Sequence, residues 1–165
     1  MRPSREFLHG VDIFSDLSAQ ELEGLVAVLH PRELSVGEVL FRQGDPGGEM
    51  YVVESGTLAI SVALADGGLL EIASFARGDF FGEMALLDNE PRSATAIAVE
   101  ESELLSLHRT DFQGTIGDNP AISAALIKVL STRLRRANHQ ISTLALLDVY
   151  GRVARVILDM AREEG

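Results

Sequence analysis

Short apolar runs closed by glycine-rich turns fill the middle of the chain. From about residue 30 to 107 the runs EVLF, MYVV, TLAISVAL, LLEIASF, ATAIAV and ELLSL are separated by Gly37, the stretch Gly44-Asp45-Pro46-Gly47-Gly48, Gly56, Asp66-Gly67-Gly68 and Gly78. Strand-type runs at this short, regular pitch predict an antiparallel barrel or jelly roll. The flanks carry a different period. In SAQELEGLVAVL, residues 18–29, Ser18 and Glu21 can satisfy each other's orphan backbone groups as a capping box, ahead of an apolar stripe at Leu22, Leu25, Val26 and Leu29. That spacing predicts a short amphipathic helix.

Asn119-Pro120 resets the pattern a second time, since Asn is a good N-cap and Pro fits the first helical position. A helix is expected to about residue 147. Along it Leu130, Leu134, Ala137, Ile141 and Leu144 fall at alternating steps of four and three, the seam of a coiled coil. Such a stripe either meets its own copy in a homodimer, the favoured reading, or packs back on the β-domain. Asp148 can cap a last helix, whose Val149, Val153, Val156, Ile157 and Met160 form another apolar face. The expected fold is therefore mainly β with flanking helices: a β-roll over 1–118 with an N-terminal helix, a dimerisation helix over 119–147, and a short terminal helix over 148–165.

Composition narrows the class. At 165 residues and 46% hydrophobic content the chain can bury a real core. The absence of cysteine excludes disulfides and thiolate metal sites. No apolar run has signal-peptide or membrane-span length, which points to a soluble cytoplasmic protein with no membrane partner. A formal net charge of −11, with Lys128 the only lysine, makes the chain a poor nucleic-acid binder as it stands. Basic residues nonetheless crowd the C-terminal part at Arg133, Arg135, Arg136, Arg152, Arg155 and Arg162, so the halves differ in charge. His9, His30, His108 and His139 are dispersed without ligand spacing, and no Ser/His/Asp set is apparent, so neither a metal nor catalysis is expected.

The candidate chemistry lies in FGEMALLDNEPRSATA, residues 81–96. Gly82 allows close backbone approach, and the residues after it favour a helix whose N-terminus would attract an anion. Nine residues after Glu83, Arg92 offers a donor fork suited to phosphate, and Ser93 adds a hydroxyl. An anionic Glu83 beside such a site must aim elsewhere, and a sugar hydroxyl is the natural donor for it. Phosphate and hydroxyl held together describe a nucleotide. A plain turn at Gly82 and a Glu83–Arg92 surface ion pair are the bland alternative.

This stretch closely resembles the phosphate-binding cassette of the cyclic-nucleotide-binding domains, as found in bacterial cyclic AMP receptor proteins and in regulatory subunits of cyclic-AMP-dependent protein kinase. GEVLFRQGDPGGEMYVVESGTLAI is similar to that family's β-roll strands, and the long helix with LALLDVYGRVARVILDMA is similar to the dimerisation helix and its successor in Crp/Fnr-type transcription regulators. The resemblance implies that Gly82 and Glu83, with Met84 and Ala85 behind them, meet the ribose hydroxyl and the cassette backbone, while Arg92 and Ser93 hold the cyclic phosphate. It also implies a base contact from the dimer helix at Ala137 and Asn138. Ala137 lacks the hydroxyl the family uses there, whereas the Asn138 amide offers both a donor and an acceptor. The implied ligand is cyclic AMP, or cyclic GMP, with no cofactor. The implied whole is the sensing and dimerisation module of a transcription regulator, with DNA read only by a domain absent from this chain. A free-standing cyclic-nucleotide-binding protein acting on a protein partner is the alternative.

Overall fold

The computed structural model describes residues 4–88, 90–115 and 119–163, with the helix beyond 143 described by its backbone apart from Gly151. The first compact unit spans Met1–Ala125 and the second Leu126–Gly165. The first unit therefore includes the opening turn of the C-terminal helix, where Ile122 is buried, and ends later than the boundary expected at 118.

The N-terminal lead-in consists of α1 (Arg5–His9), a single 3-10 turn (Asp12–Phe14) and α2 (Ala19–Val28). In α2 the expected capping box is present: the Ser18 side chain accepts from the Glu21 amide, and the Glu21 carboxylate accepts from the Ser18 amide at 2.7 Å. The inward faces of these elements place Leu8, Ile13, Phe14, Leu22 and Leu25 in the core.

Eight strands follow in two four-stranded sheets. They are β1 (His30–Leu34), β2 (Val39–Phe41), β3 (Glu49–Ser55), β4 (Thr57–Ala63), β5 (Leu69–Ala76), β6 (Phe80–Phe81), β7 (Thr95–Ala98) and β8 (Ser102–His108). One sheet has the order β1-β8-β3-β6 and the other β2-β7-β4-β5, with every pairing antiparallel. This is the β-roll that the glycine-punctuated pattern predicts. Between the sheets lie Leu34, Leu40, Tyr51, Val53, Leu58, Phe81, Ala96, Ala98 and Leu104. Small alanines on β7 leave room for the large side chains of β3 across the gap and of β4 beside it, as close packing requires.

Two strands escape the apolar pattern. β1 reads His-Pro-Arg-Glu-Leu and buries Leu34 alone, and β6 is only two residues long. Their backbone pairing with β8 and β3, rather than any hydrophobic period, makes them strands. Two helices follow β6 and β8, the four-residue α3 (Met84–Leu87) and α4 (Arg109–Thr115).

The C-terminal helix α5 runs unbroken from Pro120 to Glu163 over 44 residues. The short terminal helix expected from Asp148 is thus the continuation of α5. A cap operates only where the chain leaves helical backbone, and Ala-Leu-Leu-Asp-Val-Tyr contains no residue that forces an exit. The first weak helix former after it is Gly151, which costs only about 1 kcal/mol within a helix. Of the expected seam, Leu134 and Ile141 are 63% and 64% exposed in the single chain, and Ala137 is exposed too. Leu144 and the apolar face from Val149 to Met160 lie outside the described side chains.

Candidate functional site

The site grows from the way one turn and one loop are stitched together. The Gly44 amide donates to the Arg92 carbonyl at 2.9 Å, and the Arg92 amide returns a bond to the Asp45 carbonyl at 2.8 Å. Nearby the Gln43 amide donates to Thr95 Oγ1 at 3.0 Å, and the Arg42 amide to the Asp45 carboxylate at 2.8 Å. These bonds fix the backbone of Arg92 against the β2–β3 turn, so its side chain can go only inward. It is 7% exposed.

Inside, the guanidinium lies over the Phe41 ring, 4.2 Å from its centroid, and 5.5 Å from that of Tyr51. Those rings belong to an aromatic row in which Tyr51 and Phe75 each stack on Phe81, with centroids 5.5 and 5.3 Å apart. A cation on an aromatic face gains roughly 0.5 to 2 kcal/mol, most where water is excluded. Nη1 of Arg92 donates a long bond to the Gly82 carbonyl at 3.4 Å, while its buried Nε has no hydrogen-bond partner. An unsatisfied donor on a buried cation is costly and suits an anion that could approach it.

Gly82 is required where it stands. Its φ is +76°, and a Cβ there would lie 2.8 Å from Arg92 Nη1 and 3.2 Å from the Glu49 carbonyl. Beyond it the chain turns at once into α3, with Glu83 at the N-cap and only 2% exposed. Since Glu83 and Arg92 are both buried, a surface ion pair does not describe them. Ala85 is buried, Met84 is half exposed, and Ser93 is exposed beside Arg92 in the chain. The structure thus brings Gly82, Glu83, Met84, Ala85, Arg92 and Ser93 into one stretch of the first unit. Ala137 and Asn138 lie on the exposed part of α5, in the second unit.

Burial pushes the Arg92 guanidinium below its ordinary value, and Tyr51, Glu49 and Asp45 oppose the shift by favouring its charge. The Tyr51 phenol is pushed up to about 12, first by burial and then by the bond it donates to Glu49 Oε2 at 2.6 Å. The other carboxylate oxygen of Glu49 lies 3.1 Å from His108 Nδ1. A cleft of about 450 Å³ opens here, lined among others by Asp45, Gly47, Glu49, Arg92 and His108. A buried arginine with an unpartnered Nε beside a tight glycine turn is an arrangement that can receive an anion.

The family model for the cyclic nucleotide-binding domain matches residues 31–119, more than half of the chain. The chain belongs to the cyclic-nucleotide-binding domain family. The CRP-like cAMP-activated global transcriptional regulator of Mycobacterium tuberculosis is 32% identical over 97% of this chain and 71% of that protein. The cyclic AMP receptor protein of Thermus thermophilus is 33% identical over 94% of this chain and 72% of its own length. In three dimensions the crystal structure of the Thermus thermophilus catabolite activator protein superposes with a TM-score of 0.73 at 34% identity, over 81% of this chain and 63% of that one. The chain therefore spans under two thirds of that solved relative.

Within this cyclic-nucleotide-binding domain, the stretch 81–96 is a local sequence motif, whereas the side chains packed around Arg92 come from distant positions. Glu49 and His108 are 59 positions apart and become neighbours only because β3 and β8 pair in a register that sets Glu49 opposite His108. No local motif carries that information. Gly47 was legible only as one glycine among several, yet a Cβ on it would stand 2.5 Å from Ala85 Cβ, so it seats α3 against the β2–β3 turn. Phe41 and Tyr51 lie in strand-type runs of the sequence, and only the fold reveals that the half-buried Phe41 and the buried Tyr51 support the Arg92 cation.

Proposed function

We propose that the chain is the cyclic-nucleotide sensing and dimerisation module of a CRP-like regulator, with cyclic AMP as its ligand. The observation that carries this is the buried Arg92, stacked on Phe41 with an unpartnered Nε, directly beside Gly82 and the start of α3. The cyclic phosphate would meet Arg92, the Ser93 hydroxyl and the backbone around Met84 and Ala85, and the ribose hydroxyl would meet Glu83. These are regulatory rather than catalytic roles, in keeping with relatives that are named as transcriptional regulators. The chain works as a soluble cytoplasmic protein on this reading. Among the described residues no helix is long and apolar enough to cross a membrane.

Exposed Leu134 and Ile141 support a homodimer through α5, because large apolar side chains repeated along one helical seam are normally covered. The base would reach Ala137 and Asn138 on that helix, with the Asn138 amide reading its edge. Ligand then acts by favouring one arrangement of the helices over another, to the extent that it binds the two with different affinity. DNA would be read by a domain beyond this chain. Calorimetric titration with cyclic AMP and cyclic GMP, with Arg92→Ala as control, tests the site. Hydrogen exchange along 130–143, with and without nucleotide, tests the coupling: protection that does not change with ligand contradicts it.

A further inference from the structure

The cassette itself leaves one feature of the site unexplained. A carboxylate, Glu49, is held in the cleft that reaches Arg92, between a phenol and an imidazole. We propose that Glu49 is the resident counter-anion of Arg92, that it competes with the phosphate of an incoming ligand, and that a proton on His108 weakens this competition. The proposal rests on the cyclic-nucleotide reading of the Arg92 site.

The geometry fixes the direction. With Tyr51 donating to Oε2 at 2.6 Å and His108 Nδ1 3.1 Å from Oε1, both oxygens of Glu49 are engaged and the carboxylate stays in place when Arg92 acquires a ligand. Two anions then share one buried cation. If His108 is neutral, Glu49 keeps its full negative charge, which opposes the phosphate. If His108 is protonated, the pair is net neutral and the opposition falls. Histidine is the side chain that makes this change near neutral pH. Anion affinity therefore rises as pH falls.

The surrounding charges leave the sign unchanged. On the strand of Glu49 stands Tyr51, which stays protonated far above neutrality. From β1, His30 faces the His108 ring edge-on at 5.6 Å, and Arg32 adds a positive field at Tyr51. From the β2–β3 turn, Asp45 adds a second fixed negative charge near Arg92. At the start of α4, Arg109 points its guanidinium to the Ala85 carbonyl. Of these His30 is the other imidazole beside His108, so His30→Gln is the needed control. The Glu49 and His108 side chains are 25% and 46% exposed, so screening by water keeps the effect modest.

The test is calorimetric titration of the full chain with cyclic AMP at pH 8, 7 and 6, a range over which the cyclic phosphodiester keeps its single charge. Wild type and His30→Gln should bind more tightly as pH falls. Glu49→Gln, which keeps an acceptor for Tyr51 but loses the charge, should bind roughly two- to fivefold more tightly than wild type at pH 8 and vary little with pH. His108→Gln should stay at the wild-type pH 8 affinity throughout, and Glu49→Asp should restore a pH-dependent profile. Weaker binding by Glu49→Gln at pH 8, or the same profile in wild type and His108→Gln, overturns the proposal while the nucleotide reading stands. No binding by folded wild type at any pH overturns both.

Discussion

Arg92 shows how much one side chain in this fold depends on its neighbours. A guanidinium at 7% exposure cannot shed its proton, so burial must be compensated by aromatic faces, nearby carboxylates or a ligand. Gly82 keeps that space open. Gly82→Ala would force a side chain onto a +76° backbone and within 2.8 Å of Nη1, moving Arg92. We expect cyclic AMP affinity to fall about tenfold or more, equivalent to about 1.4 kcal/mol, in the same titration. Tyr51 carries a prediction about stability instead. Its phenol is raised from 10.0 to about 12, so the unfolded chain ionises first as pH rises. The stability attached to that proton is intact below pH 10 and is lost between pH 10 and about 12. Urea midpoints at pH 8 and 10.5 should therefore fall further for wild type than for Tyr51→Phe, and equal falls would show that the phenol is not held as described.

At the scale of elements, legibility tracked how local the cause was. The Ser18–Glu21 box is four residues long and was readable as such, and Ser18→Ala should destabilise the first unit by about 1 kcal/mol in chemical denaturation. β2, β3, β4, β5, β7 and β8 were readable because their apolar runs are bounded by turns, whereas β1 hides in polar residues and β6 in a Phe-Phe pair. The residues proposed to face the phosphate were legible because they sit within sixteen positions. Their support was not, since Glu49 and His108 meet through strand register. Asp148 misled for a related reason: a good capping residue marks a possible helix start, and only the surrounding backbone decides whether it is used.

For the molecule as a whole, charge and exposed surface frame what α5 does. A chain of net charge −11 resists non-specific association, so a dimer must come from a specific apolar seam. Leu134→Glu combined with Ile141→Glu should convert a dimer to monomer in sedimentation while leaving the β-roll folded. A wild type that is monomeric at high micromolar concentration would instead contradict dimerisation through α5. The central claim, that the Arg92 site takes a cyclic nucleotide, is tested most directly by calorimetric titration of the purified chain with cyclic AMP beside Arg92→Ala. Saturable binding at one ligand per chain, abolished in a variant that still unfolds cooperatively, is the predicted result. A folded wild type that takes up no cyclic AMP or cyclic GMP, or an Arg92→Ala variant that binds as well as wild type, would contradict it.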